Sequence, residues 1–161
     1  MDAGQQLELV GKLFLAAFLG GVVGWQRDRR QYVAGLRTMA LVATGSMLFT
    51  AVNQIYGQDR VTANIVTGIG FLGAGIIFRE GGTVRGITTA ATVWTVAAIG
   101  VAIGMELYLV ALVATPLVFI ILEMRPLSEY LSGQRSELHL LDRLGHEAKD
   151  HEDEGTGRRD G

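Results

Sequence analysis

The sequence of 161 residues has no cysteine, only two prolines, and three histidines that all lie beyond residue 138. The lack of cysteine excludes disulfides and thiolate chemistry. The position of the histidines leaves the earlier residues without an imidazole for acid–base catalysis or for a metal site. No basic stripe is interleaved with aromatic residues, so nucleic acid is not an expected ligand. We therefore expect a protein that is not an enzyme and that needs no cofactor or metal.

Charged residues are also scarce over most of the chain. Residues 1–124 carry 8 Lys and Arg and 7 Asp and Glu in a few short clusters, whereas residues 125–161 carry 6 and 9. A helix of about 20 residues crosses a hydrocarbon core of about 30 Å, and lipid requires the backbone to satisfy its own hydrogen bonds. The apolar segments near that length are Leu9–Trp25, Thr38–Tyr56, Val61–Phe78, Gly86–Gly104 and Leu107–Leu122. The sequence predicts an all-α polytopic membrane bundle of about five transmembrane helices in residues 1–124.

The distribution of Lys and Arg predicts the orientation of this bundle. If the N-terminus lies outside, twelve Lys and Arg fall inside and only Lys12 and Arg60 fall outside. Short cytoplasmic loops are enriched in these residues, so we expect the N-terminus out and the C-terminus in. Residues 125–161 then form a short cytoplasmic tail, which we predict to be helical in part and disordered over residues 146–161.

Glycine is abundant, and the stretch GIGFLGAGIIF at Gly68–Phe78 begins with the pattern G-x-G-x-x-G. A dinucleotide site would need an acidic residue about 20 positions further on, and no Asp or Glu lies between Glu80 and Glu106. Small residues instead let membrane helices approach closely. Because Gly68 and Gly75 share one face of the third helix and Gly70 and Gly73 another, we expect that helix to be central. The predicted packing glycines are Gly20, Gly24, Gly68, Gly70, Gly73, Gly75, Gly100 and Gly104.

Two predicted inner hairpins resemble each other at an offset of 51 residues, sharing the pattern V-x-G-[L/I]-x-T around Gly35 and Gly86. This favours, without proving, duplicated helical hairpins in parallel orientation. In one interpretation the glycine allows the turn and the threonine hydroxyl caps the helix. In another, two helix N-termini beside arginines bind an anion such as phosphate or a lipid headgroup, with Asp28 paired to Arg37 or Arg85. The candidate cytoplasmic cluster comprises Asp28, Arg37, Thr38, Arg79, Arg85, Thr88 and Thr89.

Among the polar side chains within the predicted spans, four are candidate functional residues: Asn64, Thr67, Thr92 and Thr95. Asn64 can hydrogen-bond a neighbouring helix or line a polar path. Threonines in membrane helices usually bond a carbonyl one turn earlier, and a lining role is the alternative. Glu106 and Arg27 lie at the ends of spans, where solvation and membrane anchoring are the expected roles.

The motifs GLRT at Gly35–Thr38, GIGFLGAG at Gly68–Gly75 and GITTAA at Gly86–Ala91, with Asp59-Arg60 and Trp94, resemble the MgtC/SapB family of bacterial inner-membrane proteins over residues 9–122. The resemblance implies a multi-pass protein of the inner membrane, linked to growth in low magnesium and survival inside host cells. It also implies a regulator that inhibits the F-type ATP synthase, rather than a demonstrated magnesium carrier.

The chain departs from the family pattern at Gln26, where glutamate is usual, and at Met39, where histidine is frequent. Only about 37 residues follow the fifth apolar segment, so we expect the membrane module without the family's ACT-like C-terminal domain. Two functions stay open. One is a regulator that contacts a membrane-protein partner or its own copies. The other is a transporter or channel for Mg²⁺ or a small solute, although Mg²⁺ sites normally use carboxylates and the spans contain none.

Overall fold

A computed structural model describes residues 2–57, 60–80 and 83–124 of the chain. These residues form five helices and one two-stranded hairpin, which confirms the predicted helical membrane bundle. The elements are α1 (Ala3–Arg29), α2 (Leu36–Tyr56), α3 (Arg60–Ile76), β1 (Phe78–Glu80), β2 (Thr83–Arg85), α4 (Ile87–Gly104) and α5 (Tyr108–Glu123). Residues 1–120 make one compact unit. The predictions for the tail, and the Asp59-Arg60 motif's side chains, lie outside the described residues.

Three of the helices are long and apolar enough to cross a membrane: Ala3–Arg29, Leu36–Ile55 and Ile87–Gly104. The other two are shorter, with 17 residues in α3 and 16 in α5. At about 1.5 Å per residue they measure about 24–26 Å, somewhat less than a hydrocarbon core of about 30 Å. Helix α5 also contains Pro116, whose missing N–H leaves one carbonyl a turn earlier without its helical donor.

Helix α1 extends beyond its predicted bounds at both ends because local signals stabilise it there. Asp2 and Gln5 form a reciprocal capping box, in which the Gln5 N–H donates to Asp2 Oδ1 at 2.8 Å and the Asp2 N–H donates to Gln5 Oε1 at 3.0 Å. At its other end α1 continues through the basic cluster to Arg29, where positive side chains favour a helix C-terminus.

The connection between α3 and α4 differs from the prediction. Helix α3 ends at Ile76, and Phe78, which we expected in the helix, begins an antiparallel strand pair. Gly86 follows with φ of 91°, a left-handed conformation that residues with a side chain avoid, and a Cβ there would collide with the Ile76 carbonyl. A glycine is therefore required for the chain to fold back and start α4.

Helix α2, and not α3, is at the centre of the bundle, since it packs extensively against both α1 and α4. A Cβ on Gly20 of α1 would lie 2.7 Å from the Ala43 Cβ, and a Cβ on Gly100 of α4 would collide with the Ala43 carbonyl. The prediction of a central α3 is wrong. In lipid every helix surface is apolar, so glycines on two faces do not show which face has a neighbour in the same chain.

Candidate functional site

The most deeply buried charged group among the described residues is the guanidinium of Arg27, near the end of α1, with only 1% of the residue exposed. Its Nη2 donates to Thr89 Oγ1 at 2.5 Å and its Nη1 donates to Thr92 Oγ1 at 3.2 Å, both on α4. Its Nε donates to the Ala34 carbonyl at 3.3 Å, in the loop between α1 and α2. The Tyr32 ring covers the guanidinium, with Cζ 4.1 Å from the ring centroid. These five residues are the Arg27 site.

The chemistry of the Arg27 site explains how a charge is held in the interior. Arginine offers donors in a planar fork, and both threonine hydroxyls accept from it. The Thr92 hydroxyl donates its own proton to the Thr88 carbonyl at 2.7 Å, so its oxygen lone pairs remain free for Arg27. The aromatic face adds a cation–π attraction. The site therefore ties α1 and its following loop to the first turns of α4.

Among the described contacts, the Asp28 carboxylate hydrogen-bonds a backbone N–H and does not form an ion pair. Its Oδ2 accepts the N–H of Leu36, the first residue of α2, at 3.0 Å. Its other oxygen lies where a Cβ on Gly35 would be, so only glycine fits there. The expected ion pair with Arg37 or Arg85 is absent from the described contacts of Asp28. The carboxylate satisfies a free N–H at the helix start, where negative charge is also favoured.

The predicted capping by threonine is wrong at both hairpins. The N-cap residues are Gly35 and Gly86, and no hydrogen bond among the described residues links the Thr38 or Thr89 hydroxyl to a backbone N–H at the helix start; Thr89 accepts from Arg27 instead. Helices α2 and α4 do begin 51 residues apart, as the repeat predicts. The two caps differ, however, with φ of −106° at Gly35 and 91° at Gly86. The duplication stays a prediction.

The other members of the predicted cytoplasmic cluster are mostly exposed. Arg37, Thr38 and Thr88 are exposed, and only Thr89 is buried. In the hairpin, Arg79 pairs with Val84 and Phe78 with Arg85. Because opposite residues share a face of a strand pair, Arg79 and Arg85 lie on opposite faces. The hairpin therefore does not place these two arginines together, and the anion site at the two helix N-termini beside Arg37, Arg79 and Arg85 stays a prediction.

The polar residues predicted within the spans divide between two environments. Thr92 belongs to the Arg27 site, and the Thr95 hydroxyl donates to the Ala91 carbonyl at 2.8 Å, as expected for threonine in a helix. Asn64 and Thr67 are exposed on α3. Within the described part of the chain the Asn64 side chain makes no hydrogen bond to another helix, so the expected interhelical bond is not made inside one copy.

The predicted packing glycines also divide into two groups. Four lie at close helix contacts, since a Cβ on any of them would come within 3 Å of α2: Gly20, Gly24, Gly100 and Gly104. Gly73 faces Ala90 of α4 at ordinary contact distance. A Cβ on the remaining three, Gly68, Gly70 and Gly75, would meet no described atom within 4 Å.

Two of these open glycines, Gly68 and Gly75, belong to one exposed surface of α3. At 100° per residue, Asn64, Thr67, Gly68, Phe71 and Gly75 share one side of α3, and all five are exposed, Phe71 by 82%. We call this set the α3 outer face. The opposite side of α3 carries Gly73, against α4, and Thr62, whose hydroxyl accepts from Asn53 Nδ2 of α2 at 3.3 Å.

Two polar clusters were missed from the sequence. Arg27 was assigned to membrane anchoring because its acceptors lie 62 and 65 residues away on α4. Lys12 was treated as a lone lysine near the end of a span, and Glu106 as solvated. In the structure, Lys12 Nζ lies 2.8 Å from Glu8 Oε1 and 3.0 Å from Glu106 Oε1. The position of Lys12 inside an apolar helix could have indicated this ion pair from the sequence, since charged residues in membrane helices usually have a partner.

These features define a helical membrane protein in which glycine contacts pack α1 and α4 against α2, and the buried Arg27 joins α1 to α4. The chain belongs to the MgtC family, whose model matches residues 13–130. It is 50% identical to Protein MgtC of Brucella abortus (strain 2308) over 126 residues, which cover 74% of this chain and 52% of that protein. It is 51% identical to Protein MgtC of Salmonella typhimurium (strain LT2) over 106 residues, 64% of this chain and 46% of that protein.

The chain thus spans about half the length of the curated relatives it matches. No solved structure matches it. The links to magnesium and virulence that the family resemblance implies fit the name of these relatives.

Proposed function

We propose that this chain is a non-enzymatic regulator in the bacterial inner membrane, which supports adaptation to low magnesium by binding another membrane protein through α3. Membership of the MgtC family supports the magnesium link. The observation that carries the binding mode is the α3 outer face, where Gly68 and Gly75 lie open beside Phe71 and Asn64.

The physical reason lies in how the same chain uses its other glycines. On α1 and α4, Gly20 and Gly100 bring backbones into direct contact with α2. Apolar side chains gain little free energy by leaving lipid for a protein surface. Close backbone approach and interhelical hydrogen bonds therefore drive helix association in a membrane. The α3 outer face has both elements, with open glycines and the Asn64 amide, which a partner helix can satisfy.

The partner we propose is a transmembrane helix of a membrane complex, and the family resemblance suggests the F-type ATP synthase. A second copy of the chain is the other proposed occupant. We place the N-terminus outside and the C-terminus in the cytoplasm, so the exposed Arg29, Arg37 and Arg85 lie at the inner surface. The stacking of Arg29 on Trp25, with Cζ 3.9 Å from the ring centroid, supports an interfacial position there.

The test is affinity purification in mild detergent from magnesium-starved cells, with Gly68→Leu and Gly75→Leu compared with wild type. We expect the leucine side chains to displace a partner helix and to abolish co-purification and growth in low magnesium. Gly11→Leu is the matched control, because Gly11 of α1 is also open. The proposal fails if wild-type protein brings no membrane protein with it, or if the α3 variants and the control behave alike.

A separate measurement distinguishes the two occupants. The natural chain has no cysteine, so Phe71→Cys places a single thiol on the α3 outer face. Oxidative crosslinking in membranes yields a dimer of the chain if a second copy occupies the face. A crosslink to a larger complex, identified by mass spectrometry, indicates the partner complex instead.

A transporter is the second candidate function, and the helix starts 51 residues apart favour it, since some transporters contain such repeats. Asn64 and Thr67 are exposed with respect to the described residues, so we propose that a path lined by them would form between copies. Uptake of Mg²⁺ into proteoliposomes that contain only this protein would support transport, and its absence together with partner capture would support the regulator.

A further inference from the structure

Arginine is concentrated at the end of the bundle where α1 stops and α2 and α4 begin. Residues 25–37 and 77–89 contain six arginines and two acidic residues, which leaves an excess of four positive charges. The hydrogen bond from Arg27 to Thr89 brings the two segments to the same end. Arg27 is buried, and the other five arginines are exposed. We call these five the basic end: Arg29, Arg30, Arg37, Arg79 and Arg85.

Three arginines of the basic end have guanidinium donors that the protein does not use. Arg29, Arg37 and Arg79 make no hydrogen bond or ion pair within the part of the chain that the structure describes. The neighbouring Asp28 is directed at the backbone, since its Oδ2 accepts from the Leu36 N–H at 3.0 Å. A guanidinium fork matches the oxygens of a phosphate group. These side chains are therefore open to an external anion.

The Arg29 guanidinium is held in a defined place by Trp25. Its Cζ lies 3.9 Å from the centroid of the Trp25 ring, one helical turn earlier. Side chains on a helix lean toward its N-terminus, so Arg29 lies back over the ring, on the membrane side of its own Cα. The ring is 45% exposed, and tryptophan favours the boundary between headgroups and acyl chains. The stack therefore places the Arg29 charge at the depth of lipid phosphates.

Apolar side chains are exposed beside these charges. Val33, between α1 and α2, is 80% exposed, and Phe78 and Val84 of the hairpin are 47% and 50% exposed. Phe78 pairs with Arg85 and Val84 with Arg79, so each face of the hairpin carries one apolar side chain and one arginine. Apolar groups interspersed with basic groups fit the interfacial layer of a bilayer, which offers acyl chains and phosphates together. The headgroup layer is the surrounding that suits this end of the bundle.

We propose that the basic end binds anionic phospholipid, with the phosphate of one lipid held by Arg29 beside Trp25 and with Arg37 and Arg79 attracting further anionic headgroups. A zwitterionic lipid offers the same phosphate, but its own ammonium group balances that charge. The excess of positive charge therefore selects lipids whose headgroups carry net negative charge. Because the attraction is electrostatic, salt weakens it.

Tryptophan fluorescence of the full chain in lipid nanodiscs measures which lipid lies beside Trp25. The chain has two tryptophans, and Trp94→Phe leaves Trp25 as the only reporter. The bilayer is an equimolar mixture of phosphatidylglycerol and phosphatidylcholine, and in two parallel samples one or the other lipid carries bromine on its acyl chains. Bromine quenches tryptophan only at close range. The ratio of the two quenching values is therefore the preference for phosphatidylglycerol at Trp25.

We expect phosphatidylglycerol to quench Trp25 about two- to fivefold more strongly than phosphatidylcholine at low salt, as one arginine near an anionic surface suggests. The preference should decrease at about 1 M salt. Arg29→Met should remove most of it, and Arg29→Lys, which keeps the charge but not the planar fork, should retain part. A ratio taken within one variant cancels any direct effect of residue 29 on the fluorescence.

The matched reporter is Trp94 in the Trp25→Phe variant. Trp94 is also exposed, by 51%, and lies about 10 Å along α4 from its start, away from the stacked arginine. Its ratio should be close to one. Circular dichroism and size-exclusion chromatography on every variant verify that it is folded, so a lost preference reports on lipid binding.

Inorganic phosphate distinguishes a lipid headgroup from a free anion. Phosphate should lower the Trp25 preference no more than sodium chloride of equal ionic strength. If phosphate abolishes the preference where chloride does not, the site binds free phosphate and the proposal is wrong. Equal quenching by the two lipids at Trp25, an unchanged preference in Arg29→Met, or the same preference at Trp94 would also overturn it. Purified protein is used without a partner, so the outcome is independent of whether the α3 outer face binds one.

Discussion

Replacing Arg27 by methionine should destabilise the bundle substantially, although the new side chain is apolar and similar in length. The substitution removes the hydrogen bonds to Thr89, Thr92 and Ala34 and the stacking on Tyr32. Hydrogen bonds with one charged partner contribute about 1.5–3 kcal/mol each, so these three bonds together contribute at most about 5–9 kcal/mol to the free energy of unfolding. Burying the charge costs several kcal/mol in the wild type, which leaves an expected loss of about 2–4 kcal/mol.

The threonines of the site allow a sharper comparison. Thr89→Val keeps the shape of the side chain but leaves the buried guanidinium short of one acceptor, so we expect a loss of about 1.5–3 kcal/mol. Thr88→Val changes the adjacent, exposed residue and should alter stability by no more than about 0.5 kcal/mol. In the double variant Arg27→Met/Thr89→Val the losses should fall short of the sum by about 1 kcal/mol or more, because both changes remove the same bond.

The assay is reversible unfolding in mixed micelles, in which the fraction of SDS is raised and helix content is followed by circular dichroism. Arg29→Met is the matched control for loss of an arginine, because Arg29 is exposed and only stacks on Trp25. The Arg29→Met variant should lose no more than about 1 kcal/mol of its free energy of unfolding. Equal stability of Arg27→Met and Arg29→Met, or of Thr89→Val and Thr88→Val, would refute the view that the Arg27 site ties α1 to α4.

Two further variants test the start of α2 and the contact between α2 and α4. Asp28→Ala should lower the free energy of unfolding by about 0.5–2 kcal/mol in the same assay, because the Leu36 N–H loses its acceptor. Asp28→Asn keeps an acceptor oxygen and should recover part of this stability. Equal losses in Asp28→Ala and Asp28→Asn would show that the charge of Asp28 matters more than its hydrogen bond. Gly100→Leu should prevent the approach of α4 to Ala43 and cost more than about 3 kcal/mol, whereas Gly21→Leu, at an open position, should be nearly neutral; similar losses for both would contradict the packing described.

Much of the fold was predictable because membrane helices carry strong local signals. The apolar segments matched all five helices, and glycine before Leu36 and Ile87 matched the starts of α2 and α4. The glycines of α1 and α4 for which the sequence predicts packing lie close to α2, as expected where small residues let membrane helices approach.

The arrangement of α3 and the buried site could not be predicted in the same way. A glycine stripe shows that a face of α3 can pack, but Gly73 and Gly75 have the same local character and different surroundings. The burial of Arg27 depends on Thr89 and Thr92, which only the tertiary fold brings to it. Long-range pairing of this kind leaves no periodic pattern in the sequence, and the arginine therefore resembled an ordinary interfacial anchor.

The packing of Ala43 restricts the movement of three helices. Its methyl group lies against Gly20 of α1 and its carbonyl against Gly100 of α4, so at this level only the thickness of one backbone separates the two outer helices. None of the three can rotate about its axis without driving a main chain into its neighbour. We therefore expect α1, α2 and α4 to move as one rigid unit, and any rearrangement of the bundle to involve the two shorter helices, α3 and α5.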